Sequence, residues 1–254
     1  MPESRDGATV HPIDTEGTGE AVWQAWPGLD RPAPLDLSAA AGVVVVAPHP
    51  DDEVLGVGGM LARLAEQGAR VRVVAVTDGE GSHPGSPTLS PARLAERRWE
   101  ERARALRCLG AEGAEVVRLG LPDGGTGSAR DALAGRLREL CAGFDVCAAP
   151  WPGDLHPDHD AAGRAALDAG AAIGMRPLLY PVWMWHWAYP GHPGVPWRRA
   201  RRIDLPPRIR RRKVAALECF TTQIAPLGAD PADAAVLKPG MLGHFGRDRE
   251  LVFR

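Results

Sequence analysis

The chain has 254 residues, 44% of them hydrophobic and 24% charged, with a formal net charge of −2. That composition fits a soluble globular protein of one large or two small domains, and its near-neutral charge gives the chain as a whole no electrostatic preference for nucleic acid or anionic membrane. No apolar run approaches the ~18 residues of a membrane span. The polar, acidic opening MPESRDGATVHPIDTEGTGE lacks the basic-then-apolar order of a secretory signal. Cys108, Cys141, Cys147 and Cys219 are scattered without a CxxC pair, the pattern of reduced core residues in a cytoplasmic protein.

Residues 1–40 are rich in Pro and Gly, and Trp23 and Trp26 mark them as an arm that packs on a single domain spanning 41–254. VVVVA (43–47) reads as a buried strand, and 53–67 as a helix closed by Gly68. VRVVAV (71–76) is a second strand, Pro91 to Leu109 a helix closed by Gly110, EVVRL (115–119) a third strand, and 129–142 a helix. DVCAA (145–149) is a fourth strand, followed by a loop and a helix from about Asp158. Strand and helix alternate, and the β-branched runs lack polar alternation, so the expected fold is α/β. It is a Rossmann-like three-layer α/β/α arrangement with a mostly parallel central sheet and a less regular C-terminal third. Within PVWMWHWAYPGHPGVPW (181–197), a strand over 181–187 puts Trp183, Trp185 and Trp187 on one face. That face reads as core, as a homo-oligomer interface, or as a platform for a sugar or apolar aglycone; His186, opposite, reads as structural. Residues 198–213 hold nine Arg and Lys against Asp204. They read as a solvated face or a contact for an anionic substrate, with no compact RNA-binding unit around them.

In open parallel sheets ligands bind beyond the carboxyl ends of the strands. HPDDE (49–53) follows the first strand and DLHPDHD (154–160) the fourth. His49 and Asp52 are three apart at a helix start, as are His156 and His159, so each pair can face one point. Helix capping needs only one of these acids; three in succession beside histidine repel one another unless a cation sits among them. The metal reading takes His49, Asp52 and His159 as ligands with a fourth position open to water, and leaves Asp51 and His156 for acid–base work. GVGG (56–59) does not have GxGxxG spacing and follows the acids, which disfavours a dinucleotide site.

APHPDDEVLGVGG followed by HPDHDAAGRAA resembles the LmbE/PIG-L superfamily of zinc-dependent N-acetylglucosamine deacetylases. The likeness extends through VTDGE (76–80), Arg98 and Glu101 before Leu109-Gly110, LGLPDG (119–124), Lys213 and Gln223. It implies Zn2+ on His49, Asp52 and His159, with Fe2+, Co2+ or Ni2+ as alternatives for such a donor set. It implies Asp51 as general base, His156 as the imidazolium that steadies the tetrahedral intermediate, and Asp158 as the carboxylate that orients His156 and raises its pKa. Arg98 (or Arg97, one register away) and Asp123 match sugar-contacting positions. His83 is either a substrate contact or a loop histidine, and His244 is a late pocket residue. Asp154 departs from the family, which often has an aromatic there. The expected reaction releases acetate and a free amine from an N-acetyl amino-sugar conjugate. Related enzymes serve thiol synthesis, glycolipid anchors and antibiotic tailoring, so a secondary-metabolite substrate fits. A zinc hydrolase of a non-sugar amide and a non-catalytic sugar-binding module are the alternatives.

Overall fold

A computed structural model describes residues 12–254, so residues 1–11 of the expected arm lie outside the described residues. Its strands are β1 (Ala33–Pro34), β2 (Gly42–Ala47), β3 (Arg70–Thr77), β4 (Glu115–Leu121), β5 (Val146–Pro150), β6 (Leu178–Tyr180), β7 (Ala200–Asp204) and β8 (Arg249–Phe253). They form one sheet in the order β1-β7-β8-β6-β5-β2-β3-β4. β8 runs antiparallel to both its neighbours, and every other pairing is parallel. The helices are α1 (Glu20–Gln24), α2 (Asp52–Glu66), α3 (Pro91–Leu109), α4 (Arg130–Cys141), α5 (Pro157–Ile173), α6 (Met184–Trp187), α7 (Pro207–Leu217), α8 (Thr221–Ile224) and α9 (Pro239–Leu242). None is long and apolar enough to cross a membrane.

The unbroken valine run makes β2 buried at every residue, as a central parallel strand covered on both faces must be. Its neighbours are β3 on one side and β5 on the other. The chain moves outward from β2 to β3 and β4, then returns to β5 across β2. The crevice between β2 and β5 is therefore the switch point where α/β sheets bind ligands, and both histidine motifs open onto it. The C-terminal third, irregular in its sequence pattern, contributes three strands to the same sheet.

Helix α2 is kinked at Val57 (φ −140°, ψ 25°). The polar groups released by the break are taken up by a buried ion pair from distant chain. Lys213 Nζ donates to Leu55 O at 2.9 Å, and Glu250 accepts from the backbone N–H of Gly59 (2.6 Å) and Met60 (2.8 Å). Lys213 and Glu250 bond each other at 2.7 Å with both side chains almost fully buried. The GVGG stretch serves packing here. A Cβ on Gly56 would lie 2.2 Å from the Tyr180 ring, and one on Gly59 would lie 2.4 Å from Leu205.

The strand expected over 181–187 is instead a turn leading into α6, so the three tryptophans do not share a face. The Asp154 carboxylate accepts the N–H groups of Val182, Trp183 and Met184 and curls the chain into the helix. Trp185 is buried against Trp23 (5.1 Å, edge-to-face), whose indole N–H donates to Trp185 O. Trp187 lies on Trp151, and Trp183 lies along His156. Trp23 is fully buried, and Glu20 beside it is gripped by Arg247 and His244. The basic run is also largely used inside the chain: Arg199, Arg202, Arg208, Arg210, Arg212 and Lys213 all hold acceptors on other segments.

Removing one member of the Lys213–Glu250 pair leaves a buried charge unpaired, so Lys213→Met should cost about 3–5 kcal/mol in denaturant unfolding. The double change Lys213→Met/Glu250→Leu should recover much of that loss; no recovery would mean that the pair is not one unit. Burial pushes the Glu20 carboxyl up, but Arg247 and His244 outweigh it and lower its pKa from 4.5 to about 2. A depressed acid stabilises the fold above its unfolded pKa and ceases to as pH falls through the folded one. Melting temperature should therefore drop between about pH 4.5 and 2 through this contact, and Glu20→Gln should flatten that part of the profile.

Candidate metal centre and active site

Each motif sits on a loop leaving a carboxyl-terminal strand end. Asp51 (φ 150°) and Leu155 (φ 65°) are the two non-glycine residues with positive φ among the described residues, one in each loop. Backbone held in such sparsely populated regions persists only where its surroundings enforce it, commonly at functional sites. Asp52 opens α2, and His156 caps α5.

The two histidines proposed as ligands are built alike. His159 Nδ1 donates to Asp154 Oδ2 at 2.8 Å, and His49 Nε2 donates to Asp158 Oδ2 at 3.1 Å. The remaining nitrogen of each ring, Nε2 of His159 and Nδ1 of His49, lies 3.2 Å from the same atom, Asp52 Oδ2. Two ligands held at about 2.0–2.1 Å from one tetrahedral ion stand roughly 3.3 Å apart, so this spacing suits a shared cation. Among the described residues His159 Nε2, though buried, has no hydrogen-bond partner, and a bound cation would satisfy its lone pair. A carboxylate behind each imidazole is the usual support of a histidine ligand. His49, His156 and His159 also converge, as do His49, Asp123 and Asp158, each trio offering ligand atoms within 4.8 Å of one another.

The charges agree with that reading. Burial works against protonating His159, but Asp52 and Asp154 outweigh it and lift its pKa to about 9. Burial opposes protonation of His49 too, and Asp123, Asp158 and Asp52 raise its pKa well above the ordinary imidazole value. The excess negative charge that favours a proton on these rings also favours a divalent cation among them.

The three successive acids have different fates. Asp52 faces the histidines. Glu53 is fully buried, takes Arg102 Nε at 2.8 Å, and accepts the Asp51 N–H. Asp51 lines the cavity beside the ligands. Burial first, and then the charge of Asp52, pushes its pKa up to about 7 against the pull of Arg98. Positive charge at Asp52 would draw that value back down, leaving Asp51 ionised near neutrality.

His156 differs from the expectation. Its Nδ1 accepts the Asp158 backbone N–H at 3.3 Å, while the Asp158 carboxylate turns to His49 and to the N–H groups of Gly124 and Thr126. The cause is local: Pro157 occupies the first helical position, and His156 bonds the second backbone N–H as an N-cap. Burial, with the charges of His159 and His49, pushes the His156 pKa down to about 3. The ring is therefore neutral at pH 7, with Nε2 carrying the proton. Asp158, expected to orient the ring through its carboxylate, meets it only through its backbone N–H.

Arg98 lines the cavity but is engaged by the protein, donating to Gly79 O, Pro50 O and Asp51 Oδ2 (3.1 Å). Asp123 also lines it, held by the Gly81 N–H and 3.2 Å from His49 Nε2. His83 is buried against Ser82, and Ser82 takes the place on the cavity wall. His244 reaches the wall while its Nδ1 bonds Glu20 at 2.6 Å. Asp154, which departs from the family's aromatic, is the residue that sequence reasoning undervalued. Its one carboxylate fixes both His159 and the turn into α6, and its place five residues before His159 was the available signal.

A family model described as PIG-L, GlcNAc-PI de-N-acetylase, matches residues 44–170, which contain both motifs. The chain belongs to the PIG-L family. It is 33% identical over 138 residues to the diacetylchitobiose deacetylase of Thermococcus kodakarensis, covering 52% of this chain and half the length of that relative. It is 29% identical over 248 residues to the 1D-myo-inositol 2-acetamido-2-deoxy-alpha-D-glucopyranoside deacetylase of Tsukamurella paurometabola, covering 72% of this chain and 83% of that one. The structure of N,N'-diacetylchitobiose deacetylase from Pyrococcus horikoshii superposes with a TM-score of 0.56 at 24% identity, over 81% of this chain and 76% of that one, and shares the fold. The PIG-L match ends before α6, so the tryptophan-rich segment and everything after it lie outside the matched residues.

Asp154→Asn keeps the shape but removes the charge behind His159. Metal affinity, read by competition with a chromogenic chelator, should weaken by about 10–100-fold. Unchanged affinity would remove His159 from the ligand set.

Proposed function

We propose that this PIG-L protein is a zinc-dependent hydrolase that removes the N-acetyl group of an amino-sugar conjugate, with His49, Asp52 and His159 as ligands. The supporting observation is the pair of carboxylate-backed imidazoles aimed at one oxygen of Asp52, with an unligated acid, Asp51, next in the chain. Zinc bound there would acidify water to a pKa of about 7 and polarise the amide carbonyl.

The chain's own groups then have defined tasks. Asp51, ionised and held by Arg98, accepts the proton of the attacking water. His156 presents Nε2–H to the carbonyl oxygen as it gains negative charge; being neutral, it acts as a fixed hydrogen-bond donor. The proton held by Asp51 is available to the departing nitrogen, which leaves as the free amine while the acyl group leaves as acetate. Asp123, on the wall beside His49, is placed to accept a sugar hydroxyl.

Asp51→Ala should retain zinc and lose about 10²–10⁴-fold in turnover, measured as acetate release from N-acetylglucosaminides. An unchanged rate would remove Asp51 as the base. His49→Ala and His159→Ala should lose zinc by elemental analysis, whereas His156→Ala should keep it and slow the reaction. Loss of zinc from the His156 variant would instead make that residue a ligand.

A further inference from the structure

The catalytic cavity has a volume of about 800 Å³, near the upper end for sites that enclose a drug-sized ligand and several times what one sugar ring displaces. Its two ends differ in chemistry and in origin. The inner end carries His49, Asp51, Asp52, Arg98, Asp123 and His156, all within the family-matched residues 44–170. The outer end carries the apolar Ile13, Val182, Trp183, Val236, Leu237 and Met241 alongside Glu16, Gln223 and Lys238, all outside that match.

The arm segment that forms part of this outer end is fastened at both ends. The Thr18 N–H donates to His186 O at 2.8 Å, and His186 Nε2 donates to Thr15 O at 2.9 Å. Gly17 sits at φ +76° pressed on that ring, where a Cβ would fall 2.4 Å from His186 Nδ1. Just beyond, Glu20 is clamped by Arg247 and His244. Between these anchors residues 15–19 line the cavity. Trp183, on the same cavity, lies nearly parallel to His156 with ring centroids 6.4 Å apart. A substrate whose amide reaches the ligands therefore has its remaining bulk against this wall.

We propose that Ile13, residues 15–19 and residues 236–241 form a selectivity wall for whatever is linked to the amino sugar, and that the substrate is a conjugate with a large apolar aglycone rather than a free sugar. The inference rests on the deacetylase reading and names its substrate class. Burial of the aglycone between Ile13, Val236 and Met241 supplies binding that the polar inner end cannot, and it acts before the chemical step. The gain is therefore expected in KM more than in kcat.

The test compares methyl, octyl and 4-methylumbelliferyl N-acetylglucosaminides on the zinc-loaded full chain and on Ile13→Asp and Val236→Asp. Both sites are half-buried rim positions. Acetate release gives kcat and KM, and quenching of tryptophan fluorescence gives binding. Wild type should favour the octyl over the methyl glycoside by about 10-fold or more in kcat/KM, mostly through KM, and each variant should collapse that ratio. Equal turnover of all three glycosides by wild type overturns the proposal, as does a ratio preserved in both variants. No acetate from any glycoside, but aglycone-dependent quenching that the variants abolish, sustains the wall and removes the deacetylase reading. Neither turnover nor aglycone-dependent quenching overturns the wall.

Discussion

Asp52 Oδ2 joins two motifs that are more than a hundred residues apart in the chain. Imidazole nitrogens from both motifs approach it at 3.2 Å, and the other nitrogen of each ring is held by its own carboxylate. So much negative charge within a few ångströms, taken out of water, is unfavourable unless positive charge compensates it. The sheet makes the concentration unavoidable by placing β2 beside β5, so that the loops leaving their carboxyl ends meet. A cation at that meeting point would relieve the repulsion.

The same electrostatic demand sorts the neighbouring acids. Glu53 is neutralised by Arg102 and becomes structural. Asp158 is surrounded by donors, including His49 and two backbone N–H groups, and is held well below the usual carboxylate range despite its burial. Asp51 pairs with Arg98, but burial and the charge of Asp52 outweigh that pull and leave its carboxyl raised. The three acids of HPDDE thus differ in role because each meets a different partner: Arg98 and Arg102 come from α3, and the imidazoles at Asp52 from its own loop and from α5.

Much of this could be read from the chain. The β-branched runs located β2, β3, β4 and β5 to within two residues, since a central parallel strand needs a continuous apolar run. Glycines closed the helices, and the spacing of His49 with Asp52 and His156 with His159 marked two convergent pairs. What escaped depends on long-range partners that leave no local periodicity. Asp154 takes three backbone N–H groups from a segment nearly thirty residues on, which turns an apparently alternating strand into α6. The N-cap geometry at His156 redirected the Asp158 carboxylate toward His49. His244 reads as a pocket residue from its position, but its ring is also fixed by Glu20 from the arm, a contact spanning almost the whole chain.

The ion pair that splints the kink in α2 bears on how the molecule is made. Glu250 lies in β8, the last strand in chain order, yet β8 is inserted between β6 and β7 and provides the link from β1 and β7 to the rest of the sheet. During synthesis the strip from β6 through β4 can assemble while the chain is still growing. The helix that presents Asp52 nevertheless lacks the acceptor for its broken turn until residues 249–253 have been translated and have entered the sheet. The splint of the helix that carries Asp52 thus depends on a residue 191 positions later in the chain than the N–H group it receives.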